Sequence, residues 1–295
     1  MPQKILVTWG VLCCALTFFW SSPIWAAPQY QYQATKDLVR LVDNAAVLVR
    51  EQGEDAFAAF EVPDSSWQRD GAYIFVCDRG GNQYVKIPEA RGEKENINVL
   101  HDALQRPFGK MLLKRASDAD GAGWVHYVSS PIEETPRLWR SVYVQQTEAP
   151  SGTVYIVGSG ADDMTMEKRF VADMVDEAMR LVSEKGKDAF TVLRDPMSEF
   201  IYKDTYVFVL TINGFVIVNP SSQVPDGHNL VDMKEPGAKA FIIQYVNAAL
   251  TKEAGWVEFA RGVPGTKKRI KKIVHVRKTH FHGLTFIVGS GFLEK

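Results

Sequence analysis

The chain contains the same pattern twice. VDNAAVLVREQGEDAFAAF, starting at Val42, returns as VDEAMRLVSEKGKDAF, starting at Val175. Asp43, Glu51, Gly53, Asp55, Ala56 and Phe57 match Asp176, Glu184, Gly186, Asp188, Ala189 and Phe190, each pair 133 residues apart (176 − 43 = 133). Tyr73, Phe75 and Gly81 match Tyr206, Phe208 and Gly214 at the same offset. With shifts of only one or two residues, Ala122-Gly123-Trp124 matches Ala254-Gly255-Trp256, and Ile156 to Gly160 matches Ile287 to Gly291. A solenoid would repeat every ~20–50 residues and more than twice. Duplication of a folded module is the remaining reading, and it predicts two domains, 27–160 and 161–295.

Met1 to Ala26 reads as a secretory signal: Lys4, an uncharged apolar run from Ile5 to Trp20, Pro23, and a cleavage site before Ala27. The alternative is an uncleaved anchor, but the run falls short of the ~20 residues that span a bilayer. Cys13 and Cys14 lie in the middle of the run, which argues against lipidation. Cleavage leaves Cys77 as the sole cysteine, so no intrachain disulfide is expected even in an oxidising compartment. Each module is then expected to be stable through its own core. A net charge of −1 argues against nucleic acid as a partner. The expectation is a soluble, exported protein, periplasmic or secreted.

Leu38, Leu41, Val42, Ala45, Ala46, Leu48 and Val49 fall on one helical face, as do Phe170, Met174, Val175, Ala178, Leu181 and Val182. Gly53 and Gly186 are the expected helix stops, with Asp55 and Asp188 opening a further turn. Strands follow at Tyr73–Cys77 and Tyr206–Leu210, then hairpin turns at Asp78–Gly81 and Ile212–Gly214. The Asn213-Gly214 pair suits a turn with positive φ at both central positions. Further strands are expected at Gln83–Ile87 and Phe215–Asn219, ended by Pro88 and Pro220. After a looser segment with a short helix, three more start near Trp124, Ser141 and Val154, and near Trp256, Ile273 and Thr285. The fold class is α+β, each module a long N-terminal helix on a five-stranded antiparallel sheet.

In this order the residues resemble the Cache family of extracellular sensor domains, most closely its single-Cache type 2 branch. The resemblance rests on Tyr206 to Val209 before a Gly turn, Asn219-Pro220 where the family often has His-Pro, and Gly227-His228-Asn229-Leu230. It continues through Asp232 to Gly237, Gly255 to Phe259 and Val288 to Gly291. The first copy keeps Tyr73, Gly123-Trp124 and Gly158-Ser159-Gly160 but departs at Lys86-Ile87-Pro88 and at Arg91-Gly92-Glu93-Lys94. The resemblance implies two tandem PAS-like modules that hold a small ligand, often a short carboxylate, against a concave sheet face. It also implies receptors that end in a kinase, chemotaxis or cyclase domain. This chain stops four residues after Gly291, so it is expected to sense and to pass the signal to a separate membrane receptor or histidine kinase. Homodimerisation through the long helices is a further expectation. The rival reading is a non-binding structural module of the cell envelope.

A carboxylate pocket needs apolar walls and a few convergent donors. Lys272 and Arg140, each three residues before His275 or Tyr143, are the candidate cations. Second-copy candidates are Tyr206, Phe208, Asn219, Trp256, Phe259, Lys272 and His275; first-copy candidates are Tyr73, Trp124, Tyr127, Arg140 and Tyr143. Solvated strand positions and ordinary core packing are the competing readings of the same residues. The run from Lys267 to Lys272 reads as a loop leading into a strand with a charged outer face. His280-Phe281-His282 reads as a polar hairpin tip rather than a metal site. There is no Cys-x-x-Cys-His, no Gly-x-Ser-x-Gly, and Gly262 to Lys267 is too short for a phosphate loop. No cofactor and no enzymatic activity are expected.

Overall fold

In the computed structural model the described residues are 29–69, 71–87, 95–129, 138–220, 227–230, 238–252, 254–262 and 269–294. The signal segment, Pro88, Arg91 to Lys94, Asp232 to Gly237 and Val263 to Lys268 fall outside them.

The first copy begins with helices α1 (Gln33–Gln52) and α2 (Phe57–Phe60), then the short pair β1 (Gln68–Arg69) and β2 (Ala72–Tyr73). Strands β3 (Phe75–Asp78) and β4 (Gln83–Val85), helix α3 (Phe108–Ser117), and strands β5 (Ala122–Val128), β6 (Trp139–Glu148) and β7 (Val154–Asp162) complete it. The second copy runs α4 (Lys168–Lys185), α5 (Lys187–Arg194), β8 (Ile201–Tyr202), β9 (Thr205–Thr211), β10 (Val216–Val218), α6 (Ala238–Lys252), β11 (Ala254–Gly262), β12 (Arg269–Phe281) and β13 (Leu284–Leu293). The antiparallel sheet orders are identical, β4-β3-β7-β6-β5 and β10-β9-β13-β12-β11, with β8 added beside β9. Helices α1 and α4 end at Gly53 and Gly186, as the spacing predicts.

Each sheet is covered on both faces. In the first copy Val42, Ala45, Ala46 and Val49 of α1 pack on Ile74, Val76, Tyr155 and Val157. The opposite face packs Phe75, Cys77, Val125, Tyr127, Val142 and Ile156 against Phe108, Leu112 and Ala116 of α3. In the second copy α4 takes the place of α1, and α6 the place of α3.

The hairpin turns differ from the expected type. Asp78 and Thr211 each accept from the N–H of the glycine three residues on, Gly81 and Gly214, at 3.0 Å, and donate to Asn82 and Phe215. Both glycines stand at φ +84°, whereas Asn213 is not among the residues with positive φ. Each is a type I turn followed by a left-handed glycine bulge, and that geometry puts the positive-φ requirement on the glycine alone. The turn with two positive φ values is His282-Gly283 (φ 48° and 76°), at the tip of β12–β13.

A second correction concerns the cores. Helix α4 is wedged between the two sheets, and its apolar cluster includes Leu38 and Trp124 of the first copy beside Phe170, Met174, Val175, Tyr202 and Val207 of the second. Trp124 lies 4.8 Å, ring to ring, from Phe170. His126 stacks on Tyr202 at 4.0 Å, and its Nδ1 shares a hydrogen bond with Ser141 Oγ, which in turn is 2.9 Å from Tyr202 Oη. The buried Glu167 carboxylate accepts the backbone N–H groups of Gln31 and Tyr32 just before α1. Each copy keeps clusters of its own, but the α4 cluster is common to both, and there the copies bury aromatic surface against each other.

Two outcomes follow from this shared core. Thermal unfolding should be one cooperative transition, and Trp124→Ala should lower stability by about 3–5 kcal/mol without splitting it. Differential scanning calorimetry resolving two transitions would contradict the shared core. The second outcome is acid sensitivity, because burial, with Arg106 and Lys203 nearby, holds His126 down at about 3. A folded pKa below the unfolded ~6.5 gives stability that is complete above pH 6.5 and is lost as pH falls toward 3. About 2 kcal/mol from this group should disappear between pH 6.5 and 5, before carboxylates protonate. Urea titrations at the two pH values measure it; equal midpoints would contradict it.

Candidate functional site

Strand alternation decides which side chains can meet. On β9, Tyr206, Phe208 and Leu210 face the α6 side, while Val207 and Val209 join the cluster under α4. On β12, Lys272, Val274 and Val276 face the α6 side, while Ile273 packs on Val171 of α4 and Arg277 pairs with Asp176 of α4. Asn219 follows the end of β10, Tyr245 comes from α6, and Leu230 hangs from a loop whose N–H bonds Gly214 O at 3.0 Å. Tyr206, Phe208, Leu210, Val216, Asn219, Leu230, Tyr245 and Lys272 line one cavity of about 130 Å3. That is close to the ~150 Å3 of a cavity that admits benzene.

The polar groups lie among aromatic walls. The Lys272 ammonium sits 5.7 Å from the centre of the Tyr206 ring, a cation–π arrangement, and Phe208 and Tyr245 are 5.7 Å apart. The amide of Asn219 can donate and accept, the Tyr206 hydroxyl can do both, and Lys272 supplies positive charge. Chemically, such a set can neutralise one small anionic group and surround a short apolar remainder.

Of the seven second-copy candidates, Tyr206, Phe208, Asn219 and Lys272 line this cavity. Phe259 stacks on Phe241 at 4.0 Å and backs Tyr245 from 6.2 Å. Trp256 and His275 do not reach it. They lie on the α4 face, ring against ring at 4.6 Å, and burial pushes the His275 imidazole down to about 4. Three residues separate Lys272 from His275, and Trp256 from Phe259; an odd spacing on a strand sends the two side chains to opposite faces. Lys271 likewise turns outward, 2.7 Å from Glu258. At the β12–β13 tip, His280 Nδ1 bonds Thr285 Oγ1 and His282 occupies the turn.

Tyr245 is the residue that sequence reasoning missed. Its signal was present, since Ile242, Tyr245 and Ala249 are buried at helical spacing in the segment expected to be loose with a short helix.

In the first copy the corresponding space is filled. Tyr127 is fully buried and stacks on Phe108 at 4.3 Å, as Phe259 does on Phe241. Ile87, Ile97, Leu100 and Leu112 pack under Phe75, each 7% exposed or less. Arg140 sits 5.0 Å from the Tyr73 ring, in the relation of Lys272 to Tyr206, but its guanidinium bonds Asp162 Oδ1 at 2.9 Å. Trp124 and Tyr143 lie on the other face, toward α4; Trp124 Nε1 donates to Tyr30 Oη, and burial pushes the Tyr143 hydroxyl up to about 12. Burial likewise pushes the Cys77 thiol up to about 12, which leaves it unreactive. A second, smaller cavity of about 70 Å3 between the copies is rimmed by the internal pairs Lys114–Glu177, Lys114–Glu199 and Arg115–Asp118.

The cavity wall depends on one close approach. A Cβ at Gly289 would lie 2.4 Å from Phe208 Cζ, and a Cβ at Gly158 the same distance from Phe75 Cζ. Gly289→Ala should push Phe208 into the cavity and cost about 1–3 kcal/mol. Gly158→Ala should cost at least as much, because Phe75 has no cavity to enter. Denaturant unfolding of the two variants checks the order.

The model of the Cache domain family matches residues 187–295. A search of curated proteins finds no match. Similar solved structures include a Cache chemosensory domain described as recognising carboxylic acids, with 18% identity, TM-score 0.35, and coverage of 43% of this chain and 92% of that one. The ligand-binding domain of the Pseudomonas fluorescens chemoreceptor CtaA, in complex with L-alanine, is 10% identical over 87% of this chain and 88% of that one, TM-score 0.29. That of the Pseudomonas aeruginosa PAO1 amino acid chemoreceptor PctC, in complex with GABA, is 12% identical over 88% and 90%, TM-score 0.31. The match to the Cache domain model spans residues 187–295, the part of the chain that carries the lined cavity.

Proposed function

We propose that the protein is an exported sensor whose second module binds a small metabolite bearing a carboxylate and presents the bound state to a separate membrane signalling partner. The observation that carries this reading is Lys272, held over Tyr206 at a cavity whose other walls are mostly apolar. A cation at an apolar-walled cavity favours a small anion with a short apolar body. Export is supported by the pattern from Lys4 to Ala26. Among the described residues, no helix is long and apolar enough to cross a membrane. The first module, with its concave side filled, serves as scaffold, and we place the division between the two after the end of β7, at 162/163 rather than 160/161. Because α4 is covered by both sheets, pairing of two copies through long helices would use α1.

A thermal-shift screen over short carboxylates, amino acids and amines identifies the ligand, and calorimetry then tests the site. Lys272→Met keeps most of the apolar stem and removes the charge. Affinity should fall by about 1.5–3 kcal/mol, ten- to a hundredfold or slightly more. Arg140→Met should leave that affinity unchanged. Full affinity in Lys272→Met would move the site elsewhere.

A further inference from the structure

The strand registers assign each cation a partner. Val142 pairs with Gly160, and Val274 pairs with Gly291, the equivalent glycine of the second copy. Two residues earlier, Arg140 stands opposite Asp162, whereas Lys272 stands opposite Leu293. The two positions are equivalent, and the duplication has put a carboxylate at one and an alkyl chain at the other.

Arg140 is 7% exposed. Its Nη1 donates to Asp162 Oδ1 at 2.9 Å, its Nη2 to Gly160 O at 3.2 Å and Gly71 O at 3.5 Å, and its guanidinium stands 5.0 Å from the Tyr73 ring. A guanidinium this deeply buried needs an anion, and a carboxylate fits its fork. Asp162 is the last residue of β7, and its side chain remains 40% exposed, so solvent reaches the anion's side of the pair.

We infer that the first module retains a carboxylate-binding site built on Arg140 and Tyr73, and that its resident occupant is the chain's own Asp162. The side chain stands where a small monocarboxylate would otherwise sit. Because Asp162 ends the last strand before α4, occupancy of this site also fixes the strand end from which the chain passes into the second copy. Only the choice of a monocarboxylate as probe rests on the reading of Lys272 given above; the Arg140–Asp162 pair stands independently of it.

The test is chemical rescue in the full mature chain, with acetate as probe and acetamide as its neutral counterpart. Asp162→Ala should lower the melting temperature by on the order of 10 °C, because a buried guanidinium loses this ion pair. Acetate at tens of millimolar should restore at least half of that loss, and acetamide should not. The rescue should survive in Asp162→Ala/Lys272→Met, which removes the second-module cation, and vanish in Asp162→Ala/Arg140→Met. If the second module binds no carboxylate, wild-type protein will be insensitive to acetate while Asp162→Ala is still rescued, so the two readings fail separately. Stabilisation of Asp162→Ala/Lys272→Met by acetate no greater than that of Lys272→Met overturns the inference, as does equal rescue by acetamide. Should Asp162→Ala not fold in buffer, its refolding yield takes the place of the melting temperature, and a yield that acetate leaves unchanged has the same meaning.

Discussion

Everything else in this molecule is arranged around one helix that two sheets share. An amphipathic helix leading a module ordinarily has one sheet to cover. Helix α4 has its own sheet on one side and, through Phe170 and Met174, the aromatic surface of Trp124 and His126 on the other. α1 covers β3, β6 and β7 but leaves Trp124 and His126 of β5 to Phe170 of α4. The hydrogen-bonded run His126–Ser141–Tyr202 then gives this apolar contact a fixed register, since the Ser141 hydroxyl, bonded to His126 within the first copy, has Tyr202 as its partner across the boundary. Glu167, at the start of α4, holds the backbone leading into α1, so both ends of the first helix-and-sheet layer are tied to the second.

Much of this was legible beforehand, and the limits have physical causes. A repeat with constant offset reports two copies of one fold because every element must recur in place; helices, strands and sheet content followed. Four of the seven second-copy site residues meet at one cavity because β9 and β12 each present one face to it. Trp256 and His275 were misplaced through chemistry weighed before parity, since a strand turns every odd-numbered step to the far side. Asn213-Gly214 suggested the wrong turn because the dipeptide is compatible with both geometries; five-residue closure through Phe215 selects the bulge. The shared core left no local mark at all. Trp124, Trp139 and Tyr143 pattern as ordinary strand residues, and nothing in a strand's own periodicity says whether the element covering it belongs to the same module.

The two copies also show what separates a filled module from a hollow one. Both keep the stacked pair at the helix end, Phe108 on Tyr127 and Phe241 on Phe259, and both keep the cation beside the strand tyrosine. The difference lies in the pieces between. Ile87 and Leu100 lie fully or nearly buried against the first sheet and close the space. In the second copy the position of Ile87 is taken by Pro220, next to Asn219 at the cavity, and the position of Leu112 by the larger Tyr245, whose ring forms a wall rather than a plug. Exchange of a few side chains on one scaffold is sufficient to turn a lined cavity into a core, because interiors are closely packed.

Strand β12 joins the cavity to the shared helix. Its even positions put Lys272 at the cavity and Val274 and Val276 in the wall beneath it; its odd positions put Ile273 against Val171 and Arg277 against Asp176, both on α4. A charge drawn toward a ligand on one side is therefore carried by the same backbone that seats the helix on the other. β12 pairs with β11 from Arg269 to Arg277 and with β13 from Lys272 to Phe281, so both ladders hold the stretch that carries Lys272, Ile273 and Arg277. Because α4 also rests on Trp124 of the first sheet, β12 is packed through it against both copies. The wedge that holds the tandem together is thus also a packed connection between the strand that carries Lys272 and the first sheet.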